Sequence, residues 1–94
     1  MYTKAMFGEE LKQHVWRKEP VTKIGIWSHS TYMKHILDLE PGLSEIMLDL
    51  TTLELGPEFE ISYAMLNKIA DDLIAGKDID LNAPEYREGN VNNI

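Results

Sequence analysis

The chain contains no cysteine among its 94 residues. That absence removes a disulfide framework, a thiolate zinc site and a cysteine nucleophile together, so stability has to come from packing. No apolar run approaches the roughly 20 residues that span a bilayer, and the N-terminal MYTKAMFGEE lacks the continuous apolar core of a secretory signal. A cytoplasmic protein that does not enter membranes is the expectation. Metal chemistry is poorly provided for: His14, His29 and His35 are the only histidines, no pair has the i, i+4 spacing of two ligands on one helical face, and there is no HExxH. Neither a glycine-rich phosphate loop nor a nucleophile elbow is present, and Ser28-His29-Ser30 puts hydroxyls beside an imidazole whose neighbours on a helix point away from it. Asp78-Ile79-Asp80-Leu81-Asn82 starts like a calcium loop but has Ala83 where glycine is needed. No cofactor, no metal and no enzymatic activity are expected.

Positive charge is scarce in one half only. Residues 1–40 carry six basic and five acidic groups, whereas residues 41–94 carry Lys68, Lys77 and Arg87 against eleven acids, giving local net charges of +1 and −8 and the overall −7. Such a field repels nucleic acid and anionic lipid and speeds encounter with basic proteins. Solubility alone also accounts for an acidic surface. A hydrophobic share of 44% and a charged share of 27% are those of a globular chain, and the length suits one domain with one modest core.

What is present is helical periodicity. Leu43, Ile46, Met47, Leu50 and Leu53 form one apolar stripe within Leu43–Leu55, with Leu48 and Leu55 on a flank, which predicts a central helix with more than one neighbour. Before it, Thr3 caps a predicted helix reaching Lys18, with Phe7, Leu11, His14 and Val15 on the inner face. Trp16 projects off that stripe, either as a lid on the core edge, the preferred reading, or as an exposed anchor. Pro20 ends this helix. A second is predicted over Lys23–Leu37 behind Thr22, with Ile26, His29, Met33, Ile36 and Leu37 inward and Ile24 and Trp27 on a lesser side. A strand over Val21–Ser28 competes with it but fails to alternate at Ile26-Trp27.

Glu40-Pro41-Gly42 makes a turn, and Gly56-Pro57 ends the central helix. Ser62 caps a fourth helix, Tyr63–Ala75, with Leu66, Ile69, Ala70, Leu73 and Ile74 inward and Gly76 closing it as the left-handed C′ residue. The reading is therefore an all-α single small bundle of about four helices, with a helical domain over 1–81 and an irregular tail over 82–94.

One surface constellation remains. Glu54, Glu58 and Glu60, with Asp71, Asp72, Asp78 and Asp80, belong to segments flanking the connection between the third and fourth helices, with Phe59 and Tyr63 among them. Acids around an aromatic centre suit capture of a cationic protein patch, and they also occur at ordinary helix junctions. Glu54 projects into the apolar stripe and is expected either to bend out to water or to meet His29, Tyr32 or His14. The run ELGPEFEISYAMLNKIADDLIAG, residues 54–76, resembles a pattern recurring in small bacterial helical proteins. In size, acidity and lack of cysteine the chain resembles the immunity proteins that neutralise bacterial toxins, including those of contact-dependent inhibition. The resemblance implies a protein-binding inhibitor whose partner is a basic, nuclease-type toxin domain. A non-enzymatic adaptor and a small enzyme using His29 are the other readings.

Overall fold

A computed structural model describes residues 1–55 and 61–86. Four α-helices occupy them: α1 Lys4–Trp16, α2 Val21–His35, α3 Leu43–Thr51 and α4 Tyr63–Ile74, with 3-10 turns over Thr52–Leu55 and Pro84–Tyr86. The described residues contain no strand, only an isolated bridge between Tyr2 and Leu39, so the all-α expectation holds.

Capping explains where two of the helices begin. The Thr3 hydroxyl accepts from the Met6 N–H at 3.1 Å, and the Ser62 hydroxyl accepts from the Met65 N–H at 3.1 Å, so each satisfies a donor that the first turn leaves open. Helix α2 starts earlier than Thr22 implies. Pro20 takes the cap position without a side-chain bond, its carbonyl accepting from Lys23 and Ile24, and Thr22 is absorbed into the first turn. Gly42 (φ 88°) turns the chain into α3, and Gly76 (φ 79°) follows α4; both φ values lie where a Cβ is disfavoured.

The helices pair as two layers, α1 on α4 and α2 on α3 with its following 3-10 turn. Each pair approaches closely at a glycine. A Cβ on Gly8 would lie 2.8 Å from the Ala70 carbonyl oxygen, and one on Gly25 would lie 2.6 Å from the Glu54 backbone nitrogen. Between the layers lies one core, to which Phe7, Leu11, Ile24, Leu43, Met47, Leu50, Leu53, Leu66, Ile69 and Leu73 contribute fully buried side chains. The predicted stripes of α1, α3 and α4 lie in it, except for His14 and Ile74, which are only half-buried at its edge. Helix α3 is less central than expected, however: its main partner is α2, and its flank residues Leu48 and Leu55 face solvent.

Helix α2 is turned the other way round from the expectation. Its inner side is Ile24, Gly25, Ser28 and Thr31, while Ile26, Met33, Ile36 and Leu37 are exposed. The cause is close packing. Gly25 admits Leu53 and Glu54, and the Ser28 hydroxyl donates to the Met47 carbonyl at 2.7 Å, so a small-residue seam sets the inner face in place of Ile26, Met33, Ile36 and Leu37. Trp27, on the lesser side of the prediction, packs inward instead, stacked on Phe7 (centroids 4.8 Å, planes 5° apart) and tilted against His14 at 4.4 Å. Trp16 is 80% exposed, which overturns its preferred placement as a lid.

Two polar clamps close the bundle. The nearly buried Lys4 ammonium donates to Glu40 Oε2 at 3.1 Å and Asp78 Oδ1 at 2.6 Å, while the Lys4 backbone N–H donates to Glu40 Oε1 at 2.9 Å. The start of α1, the α2–α3 turn and the chain after α4 therefore meet at one cation. Asp78 and Glu40 hold the Lys4 ammonium above the usual lysine range, and the Lys4 amide, then its ammonium, holds Glu40 below the usual glutamate range.

These shifts define a pH window. A lowered carboxyl stabilises the fold above its unfolded value near 4.5 and stops doing so as pH falls through the folded value; a raised ammonium stabilises it below about 10.5 and is lost as pH rises further. Glu40→Gln is expected to lower Tm near pH 7, with the gap to wild type narrowing as pH drops below about 4.5. Calorimetry across that range checks it, and a gap independent of pH would rule the ionic clamp out.

The second clamp ties down the tail. Tyr86 is buried and its hydroxyl donates to Asp72 at 2.6 Å, with Leu81 buried nearby in sequence. Packing thus continues past the expected boundary at residue 81, as far as Tyr86; the rest of the predicted tail lies outside the described residues.

Candidate functional site

The acidic constellation is distributed over both layers. Glu54 ends beside α2, its Oε1 3.7 Å from Nδ1 of His29, with the two side chains 28% and 50% exposed respectively. At that separation the contact is an ion pair when the imidazole is charged and not a hydrogen bond. His29 itself lies at the surface and not on the inner face of α2. Glu58, Phe59 and Glu60 lie outside the described residues.

Tyr63 has a structural task. Its hydroxyl donates to the Glu19 carbonyl at 2.7 Å and approaches the Lys18 carbonyl at 3.2 Å, fastening the start of α4 to the loop that leaves α1. In that loop Lys18 adopts φ 54°, and Glu19 collects Nδ1 of His14 at 2.7 Å and Nε of Arg17 at 2.8 Å. Those contacts, the Arg17 bond foremost, hold the Glu19 carboxyl below its usual range. Tyr63 also lines two open surface clefts, one of about 430 Å³ with Pro20, Val21 and Ile61, and one of about 470 Å³ with Lys12, Val15 and Trp16.

The paired aspartates of α4 diverge. Asp71 is half exposed and forms an ion pair with Lys12 of α1, joining the two helices of its layer. Asp72 is mostly buried and gathers the Tyr86 hydroxyl at 2.6 Å, Lys68 at 3.4 Å and Lys77 at 3.5 Å. The Tyr86 bond, opposed by burial and helped by Lys68, holds its carboxyl below the usual aspartate range. Both aspartates therefore carry internal contacts, and Asp72 is a bolt for the tail as much as a surface charge.

Among the described residues no three histidines or carboxylates converge as a metal site would require, and no helix is long and apolar enough to cross a membrane. The exposed apolar surface is the part of the molecule that sequence reasoning missed. Its signal was present in the run Gly25, Ser28, Thr31, whose spacing of three marks a side where another backbone can approach. No family model, no curated protein and no solved structure matches this chain.

Proposed function

We propose that the protein acts by binding another protein, as an immunity-type inhibitor that occupies the basic cleft of a nuclease-like toxin domain through its acid-rich second half. The observation that carries this reading is the division of charge, +1 over residues 1–40 and −8 over residues 41–94. A toxin that grips a phosphate backbone has a cationic cleft, and carboxylates on a rigid helical support imitate that backbone. The exposed Asp80 and Glu85 beyond α4 supply such groups, Asp71 adds one when its ion pair with Lys12 opens, and Glu54, Glu58 and Glu60 precede α4 in the same acid-rich half. Tyr63 and Phe59 would add apolar contact at the centre.

The test is capture by the tagged full chain from a lysate of its own source, eluted with salt and identified by mass spectrometry. One basic protein released only at high salt is the expected result. Glu58→Lys combined with Glu60→Lys is expected to weaken its binding at least about tenfold, or ~1.4 kcal/mol. Unchanged binding in that double variant would overturn the acidic-face reading. A second reading, a non-enzymatic subunit of a larger assembly, is favoured by the exposed apolar layer of α2 and α3.

A further inference from the structure

The large hydrophobic side chains left exposed are concentrated on one layer of the bundle, α2, α3 and the turns that follow them. Ile26, Met33, Ile36 and Leu37 on α2 and its end, Leu48 on α3 and Leu55 on the following turn are 51%, 57%, 46%, 97%, 44% and 64% exposed. Apart from these, only Met1, Met6 and Trp16 are comparably open among the described residues. Since α2 packs on α3 and on Thr52–Leu55, all six belong to the same layer. Along α2, Ile26, Ser30 and Met33 follow the spacing i, i+4, i+7 of a helix seam, and Leu37 in the turn just after the helix continues it at i+11. The opposite side of α2 is already buried through Ile24, Ser28 and Thr31, so this seam is additional to the core contact.

Charge divides across the same layer. Helix α2 carries Lys23, His29, Lys34 and His35 and no acid, whereas residues 43–55 carry Glu45, Asp49 and Glu54 and no basic group. Lys23, Lys34 and Glu45 are exposed and form no ion pair among the described residues. One face thus holds both halves of a complementary pattern: a basic apolar ridge beside an acidic apolar ridge.

We propose that this layer is the interface of a two-fold symmetric dimer, in which α2 of one copy lies against α3 of the other. A two-fold axis through the layer applies the basic ridge to the acidic ridge twice, because both copies present the same patch. The apolar seam gives the association its area. Lys23 and Lys34 opposite the acidic side of α3 fix its orientation. A foreign partner would need only one of the two ridges; a second copy uses both. With α2 about 22 Å long and the layer two helices wide, the face is at the small end of stable interfaces, so dissociation in the micromolar range is expected.

Sedimentation equilibrium of the full chain at low salt, from about 5 to 500 µM, tests this. The mass is expected to rise with concentration from 10.8 kDa towards twice that value. Met33→Asp, at an exposed position, is expected to weaken association at least tenfold while the circular dichroism spectrum stays that of wild type. Lys23→Glu with Lys34→Glu is expected to weaken it as well, and adding Glu45→Lys to restore part of the loss. A mass of 10.8 kDa at every concentration would overturn the proposal, as would a dimer unaffected by Met33→Asp. Loss with Met33→Asp but none with the lysine reversals would overturn the pairing of α2 with α3. A monomer that binds an added acidic amphipathic peptide through Met33 would assign the face to a foreign partner instead.

Discussion

Phe7→Ala is expected to cost about 3–5 kcal/mol, the largest loss of any substitution considered for this fold. The ring is fully buried, stacked on Trp27 at 4.8 Å and met edge-on by Tyr2 at 6.5 Å. Removing it takes away the transfer energy of an aromatic side chain and leaves a hole that Tyr2 and Trp27 cannot both collapse into. Tyr2 is held by its hydroxyl bond to Glu10 (2.7 Å) and by stacking on His35 at 4.1 Å, and Trp27 by the turn of α2. A chain of this length has about 5–15 kcal/mol of stability in total, so the variant would stand near its unfolding threshold. Urea unfolding followed by tryptophan fluorescence measures this. A loss under about 1 kcal/mol would mean that the stack contributes little. Phe7→Leu, which keeps more of the volume, should recover much of the difference.

Gly25→Val is expected to destabilise by about 2–3 kcal/mol for the opposite reason, too much volume in place of too little. The added Cβ would meet the Glu54 nitrogen at 2.6 Å and the Leu53 Cβ at 3.0 Å, and the first of these is backbone that cannot swing aside. Gly25→Ala separates two effects. It gains about 1 kcal/mol of helix propensity but suffers the same overlap, so its net change is expected to be smaller than that of valine yet still unfavourable. Thermal unfolding of the two variants beside wild type decides the matter. A stabilised alanine variant would show that the α2 contact with the turn is looser than these distances imply.

The same two residues show why parts of the fold could be read from sequence and others could not. Helices α3 and α4 were legible because Leu43, Met47 and Leu50, and Leu66, Ile69 and Leu73, lie on narrow stripes whose reverse faces, Leu48 of α3 apart, are mostly polar or small, so period and burial agree. Helix α2 was legible as a helix, but its orientation was not. Ile26, Met33, Ile36 and Leu37 outnumber Ile24 and Trp27 but lie opposite Gly25, Ser28 and Thr31, and a ranking by hydrophobicity chooses the wrong side when closeness of approach decides the packing. Lys4 was beyond reach for another reason: its partners Glu40 and Asp78 are 36 and 74 positions away, and no local pattern signals a contact of that range. Of the acidic constellation, sequence supplied the charges but not their engagements, since the bond from Tyr86 to Asp72 depends on a tail that has no periodicity of its own.

The pairing of α1 with α4 has a consequence for the order in which the protein can be assembled. Helices α2 and α3 adjoin in sequence and can associate as soon as both have been synthesised, whereas α1, made before them, has its main partner in α4, the last of the four described α-helices. Until Tyr63–Ile74 emerges from the ribosome, Phe7, Leu11 and Val15 have only part of their contacts, and the Lys4 clamp is short of Asp78. This bundle therefore closes only once α4 has been made: a fragment stopped before α4 retains a helical hairpin and an unmatched amphipathic α1, a state exposed to chaperones and proteases during synthesis.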